Sequence, residues 1–406
     1  MPSAAECDRL DPLAQFRLRF QLPENVIYLD GNSLGVLPVG LSAHMQSVVE
    51  RQWGESLVRG WNDAGWIDLP ARVAGKIARL VGATPDSVAV GDSTTINVFK
   101  VLSAALSLRP ERRVILSDRS NFPTDLYVAD GLSRLLGQGY ELKLADADSM
   151  KEAIDENVAA VLLTEVDYRT GRRYDMADMT QHVHDQGALA IWDLAHSAGA
   201  FPVHLDAAGA DFAVGCGYKY LNGGPGAPAF LYVAERHQAQ VSPALSGWMG
   251  HQAPFEFAQT YAPAEGIGRM LVGTPPILSL SALDRALDAF DGVDMKLVRE
   301  KSQQLCDRFI DEVEKRCPEL ELATPRDHAS RGSQVSFRHP EGYAIMQALI
   351  ANGVIGDFRA PDILRFGMTP LYLRHADIAA AAETLERVMR GKLWDQDVFR
   401  RRAKVT

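Results

Sequence analysis

Residues 215–233 read GCGYKYLNGGPGAPAFLYV, and one lysine, Lys219, lies there between two groups of glycines. A lysine that forms an imine needs flexible surroundings and partial desolvation, and glycines let a flat ring lie against the backbone. The run 229–233 that closes the stretch has the apolar composition of a buried strand. We therefore interpret Lys219 as a candidate reactive residue that lies between two strands of a sheet.

Short apolar runs alternate with helical patterns over most of the chain. Several of the runs are rich in Val, Ile and Leu, as buried parallel strands are, and we predict strands at 87–90, 113–116, 140–144, 159–163, 188–192, 212–214 and 229–233. Helical spacing predicts helices at 96–108, 124–136, 149–155 and 176–186. This succession predicts an α/β fold, with a mainly parallel central sheet flanked by helices.

The pattern changes after Pro275 and Pro276. Long charged helices are predicted over 277–316, short strands near 319–323, 333–338 and 363–368, and a closing helix over 375–391. We therefore predict three parts. A segment, 1–45, packs with the small domain or the rim of the active site; a large domain spans 46–275, and a smaller α+β domain spans 276–406.

Composition and charge argue against several classes of protein. The 406 residues are 47% hydrophobic and carry a formal net charge of −10, without a basic cluster beyond the run 400–402, so nucleic acid is not an expected partner. The opening residues 1–20 lack the apolar core of a secretory signal, and we expect a cytoplasmic protein without membrane attachment. The four cysteines lack metal-type spacing, so no metal site is expected.

Candidate catalytic groups follow the predicted strand 188–192. Ligands bind at the carboxyl ends of strands in open parallel sheets, and Asp193 and His196 emerge at that edge. Taken singly, such an aspartate is more often a loop cap and such a histidine more often structural. Together with Lys219 they fit pyridoxal phosphate, whose aldehyde takes a lysine amine and whose ring nitrogen needs a carboxylate. His196 would pack on the cofactor or orient the Asp193 carboxylate.

A cradle for the phosphate is predicted in residues 88–106, VAVGDSTTINVFKVLSAAL, which read as a strand, a short turn and a helix. Thr94 and Thr95 would lie at the helix N-terminus, where free N–H groups, the helix dipole and two hydroxyls favour an anion. The alternative is a plain helix cap.

The next predicted strand end carries an aromatic and an acidic residue. Phe122 would stack on the cofactor ring, or else form a hydrophobic staple before the helix. Asp125 would be a second acid near the ring, or else a first-turn charge. Phe122 is the stronger of these two assignments.

The run 191–233, together with LDGNSLGVLP, SNFPTD, GWMGH and TPP, closely resembles the kynureninase family of fold-type-I pyridoxal-phosphate enzymes. The resemblance extends over nearly the whole chain, and the combination of YKYLNGGPG, GWMGH and GNSLG is specific to that family. It implies that Lys219 forms the Schiff base with pyridoxal phosphate, that Asp193 pairs with the ring nitrogen and that Phe122 stacks on the ring. It also implies a homodimer with shared active sites.

The resemblance assigns further residues to the phosphate and the substrate. The implied phosphate ligands are Thr94, Thr95, Tyr218, Trp248 and Thr274, with the last two reaching across the dimer interface. Arg365 matches the arginine that binds the substrate carboxylate, although an arginine in such a context is more often part of a surface ion pair. Ser33 and Trp61 are expected to line the pocket for the substrate's aromatic ring.

The implied reaction is hydrolytic cleavage of the Cβ–Cγ bond of L-kynurenine, which gives anthranilate and L-alanine in tryptophan catabolism. Lys219 would remove the Cα proton, and Tyr218 is the candidate proton relay, with a purely structural phosphate contact as the alternative. Trp61 and Thr274 stand where animal members have a histidine and an asparagine. Unmodified kynurenine is therefore the expected substrate, with 3-hydroxykynurenine also accepted.

Two other functions remain open. Cysteine desulfurases and selenocysteine lyases share the fold, but they have a histidine where this chain has Tyr218, and they use a mobile cysteine, whereas Cys306 and Cys317 lie in a helical stretch. A catalytically silent protein would bind the cofactor without turnover.

Overall fold

Helices and strands alternate in the computed structural model, which describes residues 2–403. In that range the α-helices are Ala4–Arg9 (α1), Leu41–Ser47 (α2), Gly60–Asp63 (α3), Leu69–Val81 (α4), Thr94–Ser107 (α5), Pro123–Leu136 (α6), Met176–Asp185 (α7), Glu235–Gln238 (α8), Ile277–Leu287 (α9), Met295–Arg316 (α10), Gly342–Ala351 (α11), His375–Arg390 (α12) and Asp397–Arg400 (α13). None of these helices is long and apolar enough to cross a membrane.

The strands of the described range follow the same order. They are Ile27–Tyr28 (β1), Val88–Val90 (β2), Val114–Asp118 (β3), Glu141–Ala145 (β4), Val158–Thr164 (β5), Leu189–Asp193 (β6), Phe212–Cys216 (β7), Ala229–Val233 (β8), Glu321–Leu322 (β9), Gln334–Arg338 (β10), Val354–Ile355 (β11), Asp357–Arg359 (β12) and Ile363–Gly367 (β13). Residue 1 and residues 404–406, which the predicted domain boundaries include, lie outside the described residues.

The large sheet has the strand order β2-β8-β7-β6-β5-β3-β4. Strands β3 to β7 pair in parallel, and β8 runs antiparallel to both β7 and β2. Along β3, Val114 and Leu116 belong to one hydrophobic cluster with α4 and α7, and Ile115 belongs to another with α5 and α6. Helices therefore cover both faces, which explains the fully apolar central strands. The predicted mainly parallel sheet flanked by helices is confirmed.

A second sheet, of order β12-β13-β10-β9, is antiparallel and lies in the C-terminal part of the chain. The N-terminal segment contacts this part of the chain: Ile27 pairs with Val354, and the Asp8 carboxylate accepts hydrogen bonds from the first backbone N–H groups of α12. The domain boundaries at residues 45 and 275 stay a prediction.

The predicted helix over 149–155 is wrong. Ala147–Ser149 forms a short 3₁₀ turn, and the chain then continues in turns until β5 begins at Val158. Met150 and Ile154 are both buried, and their four-residue separation gave a helical signal. Only one short helical turn forms in the connection between β4 and β5, and a helix of that length has little stability of its own.

Candidate active site

A pocket with a volume of about 220 Å³ opens at the carboxyl ends of β5, β6 and β7. Thr164, Asp193 and Cys216 are the last residues of these strands, and all three line the pocket. Eight of the predicted site residues line it as well, namely Thr94, Thr95, Phe122, Asp125, Asp193, His196, Tyr218 and Lys219. Residues from five separate stretches of sequence thus meet at one edge of the sheet, where parallel sheets bind ligands.

Lys219 lies just beyond β7, in a loop that two glycines allow to fold tightly. The Gly223 N–H donates to the Gly217 carbonyl at 2.9 Å. A Cβ atom at Gly217 would lie 2.5 Å from the Pro228 carbonyl oxygen, and one at Gly223 would lie 2.7 Å from that of Gly217. Such distances exclude side chains at both positions, so the glycines set the loop that presents the lysine.

The Lys219 amine is in an environment that favours its neutral form. Its Nζ lies 3.0 Å from His196 Nε2 and 5.9 Å from the centre of the Phe122 ring. Burial lowers the pKa of Lys219, and the positive charges of Arg365 and Arg359 lower it further, against the opposing charge of Asp193. A neutral amine is the nucleophilic and basic form of lysine.

Two buried carboxyl groups, Asp193 and Asp125, share the floor of the pocket. Asp193 accepts a hydrogen bond from the Ala195 N–H at 2.7 Å. One oxygen of Asp125, Oδ1, is buried without a partner among the described residues. Burial raises the pKa of both carboxyls, and the Asp193 charge raises the pKa of Asp125 further. A cationic or N–H-bearing ring would satisfy this pair.

His196 is held by a residue that the sequence did not point to. Its Nδ1 lies 3.0 Å from Oε1 of Gln334, the first residue of β10, while its Nε2 faces Lys219. The prediction that His196 orients the Asp193 carboxylate is wrong, because both ring nitrogens are engaged elsewhere. Burial, followed by the Lys219 charge, lowers the pKa of His196 well below its usual value. The ring is therefore neutral and does not repel a cation.

The helix α5 begins with Thr94 and Thr95, as its predicted role as a phosphate cradle requires. Ser93 serves as the helix cap, and its Oγ accepts a hydrogen bond from the Ile96 N–H at 3.4 Å. Since Ser93 takes the capping role, the two threonine hydroxyls are available to the pocket that they line. Free N–H groups at such a helix start favour an anion.

The rings of Tyr218 and Phe122 both lie near the lysine amine. The Lys219 Nζ is 5.9 Å from the centre of each ring, and Phe122 also packs edge-on against Tyr168. Burial raises the pKa of Tyr218 to about 12. Its hydroxyl therefore stays protonated at neutral pH and is able to donate a proton.

Three predicted site residues, Trp61, Trp248 and Thr274, lie outside this pocket and line a second one of about 680 Å³. The wall of this second pocket is apolar and open, since the Trp248 side chain is 40% exposed and the Phe255 side chain is 61% exposed. The structure therefore brings these three residues together, but it does not place them beside Lys219 within one chain. Their roles stay predictions.

Arg365 is not a surface residue, so the expectation of a surface ion pair is wrong. It lies opposite Asp357 across β12 and β13 and is 1% exposed. Its Nε donates to Asp357 Oδ1 at 2.8 Å, its Nη2 bonds to the second oxygen of Asp357 and to Ser33 Oγ, and its Nη1 donates to the Tyr168 carbonyl at 2.6 Å. Tyr168 also lines the Lys219 pocket, so Arg365 lies directly behind it.

Comparison with known proteins gives matches in sequence over nearly the full chain. Residues 298–385 match the family described as the kynureninase C-terminal domain. The chain is 57% identical to a kynureninase of Deinococcus radiodurans over 94% of each chain, and 52% identical to one of Pseudomonas fluorescens over 98% of each chain.

Solved structures that share the fold have lower sequence identity to this chain than the relatives named above. A cysteine desulfurase of Escherichia coli has a TM-score of 0.75 at 20% identity, over 93% of this chain and 98% of that one. A variant of the enzyme C-DES, with glycine covalently linked to its PLP cofactor, has a TM-score of 0.77 at 18% identity, over 91% and 98% of the two chains. At such identities the likeness concerns the fold alone, and it confirms the predicted fold-type-I class.

Proposed function

The chain belongs to the kynureninase family, and from this premise we propose that it is a pyridoxal-phosphate enzyme that hydrolyses L-kynurenine to anthranilate and L-alanine. The observation that carries the proposal is the half-buried Lys219 amine at the strand ends, beside two buried carboxyls and a helix N-terminus. The 57% identity to a kynureninase over 94% of the chain gives the substrate class.

Pyridoxal phosphate fits the residues that line the pocket. Lys219 would hold its aldehyde carbon, Asp193 and Asp125 its ring nitrogen, and Thr94 and Thr95 its phosphate. The unpartnered Asp125 Oδ1 and the first N–H groups of α5, at Thr94 and Thr95, are the polar groups that such a cofactor would satisfy. When bound, the cofactor supplies an electron sink for negative charge at the substrate Cα.

The chain's own residues would carry the protons of the reaction. Lys219, with its lowered pKa, accepts the Cα proton at Nζ, and the neutral His196 orients that amine at 3.0 Å without repelling it. Tyr218 retains its hydroxyl proton and donates it to the carbon skeleton after cleavage. Packing of His196 against the cofactor stays part of the proposal.

We assign the substrate carboxylate to Arg365, and Ser33, which hydrogen-bonds this guanidinium, stays a predicted residue of the pocket for the substrate's aromatic ring. Because Asp357 occupies this guanidinium in the structure, the substrate competes with an internal carboxylate. An Arg365→Lys variant loses the planar fork, and we expect its KM for kynurenine to rise on the order of 10-fold to 100-fold, with a smaller change in kcat. Steady-state kinetics with anthranilate fluorescence measure both constants. An unchanged KM would contradict the assignment.

A homodimer is proposed to complete the site. Trp61, Trp248 and Thr274 share one open apolar pocket, and exposed apolar surface of this kind is typical of a contact between chains. In the partner's pocket, Trp248 and Thr274 would reach the phosphate, and Trp61 would meet the substrate ring. A monomer in sedimentation equilibrium at micromolar concentration would contradict this arrangement. We also propose a cytoplasmic location, which the four free thiols favour.

Substrate choice is assigned to the same second pocket. Trp61 and Thr274 lie together there, and they stand where the animal members of the family have a histidine and an asparagine. The enzyme should therefore prefer unmodified kynurenine while accepting 3-hydroxykynurenine. Equal kcat/KM values for the two substrates would remove the basis of this preference.

Incubation of the purified protein and cofactor with L-kynurenine tests the main proposal. We expect anthranilate and L-alanine in equal amounts, and no product would contradict the function. A parallel incubation with L-cysteine tests a desulfurase. Cys306 and Cys317 are buried, and burial raises their pKa values to about 11 and about 12, so neither is a reactive thiolate, and we expect no release of sulfur.

A further inference from the structure

Lys100, on α5, is a buried cation outside the pocket described above. Its side chain is 2% exposed, and its Nζ donates to Asp92 Oδ2 at 2.9 Å and to Asn97 Oδ1 at 3.2 Å. Burial lowers the pKa of Lys100, against the opposing bonds to Asp92. Burying such a charge costs free energy that a single ion pair repays only with good geometry.

One partner of Lys100, Asp92, lies in the turn that connects β2 to α5, and the other, Asn97, lies on α5 itself. Asp92 has a φ of 55°, in the left-handed region that few residues other than glycine adopt. Its carbonyl accepts a hydrogen bond from the Ala229 N–H at 3.0 Å, and Asn97 Nδ2 donates to the Gly91 carbonyl at 3.0 Å. Lys100 and Asn97 are three residues apart on one face of the helix, so together they hold Gly91 and Asp92, the first two residues of the turn.

This turn leads directly into the proposed phosphate cradle. Ser93, Thr94 and Thr95 follow Asp92 and line the Lys219 pocket. The direction in which the first N–H groups of α5 point depends on the conformation of the turn. The half-exposed carboxylate of Asp92 would also repel a phosphate dianion, unless a positive charge nearby offsets it.

We propose that Lys100 is a positioning residue for the phosphate end of the cofactor. It fixes the turn at residues 91–93 and neutralises Asp92, so that the start of α5 accepts a dianion. This role rests on the proposed cofactor, and Lys100 acts through the turn, because it is not among the residues that line the pocket.

The test compares two ligands that differ only in the phosphate. The apoprotein of a Lys100→Met variant is dialysed to equilibrium against pyridoxal phosphate, and separately against pyridoxal. We expect the dissociation constant for pyridoxal phosphate to rise on the order of 10-fold to 100-fold, as for the loss of an interaction with a charged group. The constant for pyridoxal should change less than about threefold, because pyridoxal places no phosphate at the turn.

Lys301→Met is the matched control. Lys301 is also buried and ion-paired, with Asp11 at 2.6 Å, but it lies on α10 and does not line the pocket. Its loss should lower the melting temperature and leave the ratio of the two constants unchanged. If Lys100→Met does not fold, Lys100→Gln keeps a donor for Asp92 but removes the charge, and it should shift the ratio in the same direction by a smaller factor.

An equal loss of affinity for pyridoxal phosphate and for pyridoxal, or no loss of affinity for either, would overturn the proposed role of Lys100. Dialysis uses no kynurenine, so the outcome is separate from the proposed reaction. A wild-type protein that binds pyridoxal phosphate without turnover would contradict the reaction and leave this test intact. An unchanged ratio in an active enzyme would contradict this inference alone.

Discussion

Replacement of Lys219 with alanine is expected to reduce kynurenine turnover on the order of 10⁴-fold or more, as for the loss of a residue that acts in several steps. The variant loses both the amine that would hold the cofactor and the base that would accept the Cα proton. The visible absorbance of the lysine-bound cofactor should disappear with the activity. Anthranilate fluorescence and an absorbance spectrum of the same sample measure the two effects.

Lys219→Arg is the informative companion variant. It places a permanent positive charge near the rings of Phe122 and Tyr218, but a guanidinium stays protonated and forms no imine. We expect it to be as inactive as the alanine variant, although it carries a basic side chain of similar length. Activity within about tenfold of the wild type in either variant would move the catalytic amine elsewhere.

An Asp193→Asn variant is expected to lose roughly 10²-fold to 10⁴-fold in kcat, the usual range for a group that controls a proton in the transition state. The amide keeps the shape of the side chain and its acceptor for the Ala195 N–H. It removes the negative charge that would keep the cofactor ring protonated. The loss should therefore be in kcat, while the protein still binds the cofactor.

Asp118→Asn provides the comparison for Asp193. Asp118 also ends a buried parallel strand, β3, but it hydrogen-bonds Tyr174 and Ser120 and does not line the pocket. We expect this variant to lower thermal stability and to leave kcat within about threefold of the wild type. If kcat fell by the same factor in both variants, the proposed role of Asp193 at the cofactor ring would be contradicted.

Local sequence patterns were sufficient to predict the strands of the large sheet and the candidate site residues that follow them. Asp193 and Lys219 each follow an apolar run that predicts a strand. Because the carboxyl ends of parallel strands meet at one edge of a sheet, these two residues could be predicted to lie close together. The same reasoning did not reach Gln334 or Asp357. These residues come from short strands far along the chain, and Gln334 lies 138 positions after His196, so only pairing in three dimensions brings them near.

The helix α11 was missed for a related reason. Gly342–Ala351 is apolar around most of its circumference and largely buried, so it lacks the one-sided periodicity that identifies a surface helix. It also lies among the short strands β11 and β12, which are two and three residues long. Strands of that length have no alternation to detect.

The contact between Gln334 and His196 connects the sheet that carries Arg365 with the ring that faces the Lys219 amine. Gln334 lies on β10, which pairs with β13, the strand that carries Arg365. If a substrate carboxylate that binds Arg365 shifts this sheet, the position of His196 against the Lys219 amine would change with it. Carboxylate binding and the proton affinity of Lys219 would then be thermodynamically linked, and linkage of this kind is reciprocal.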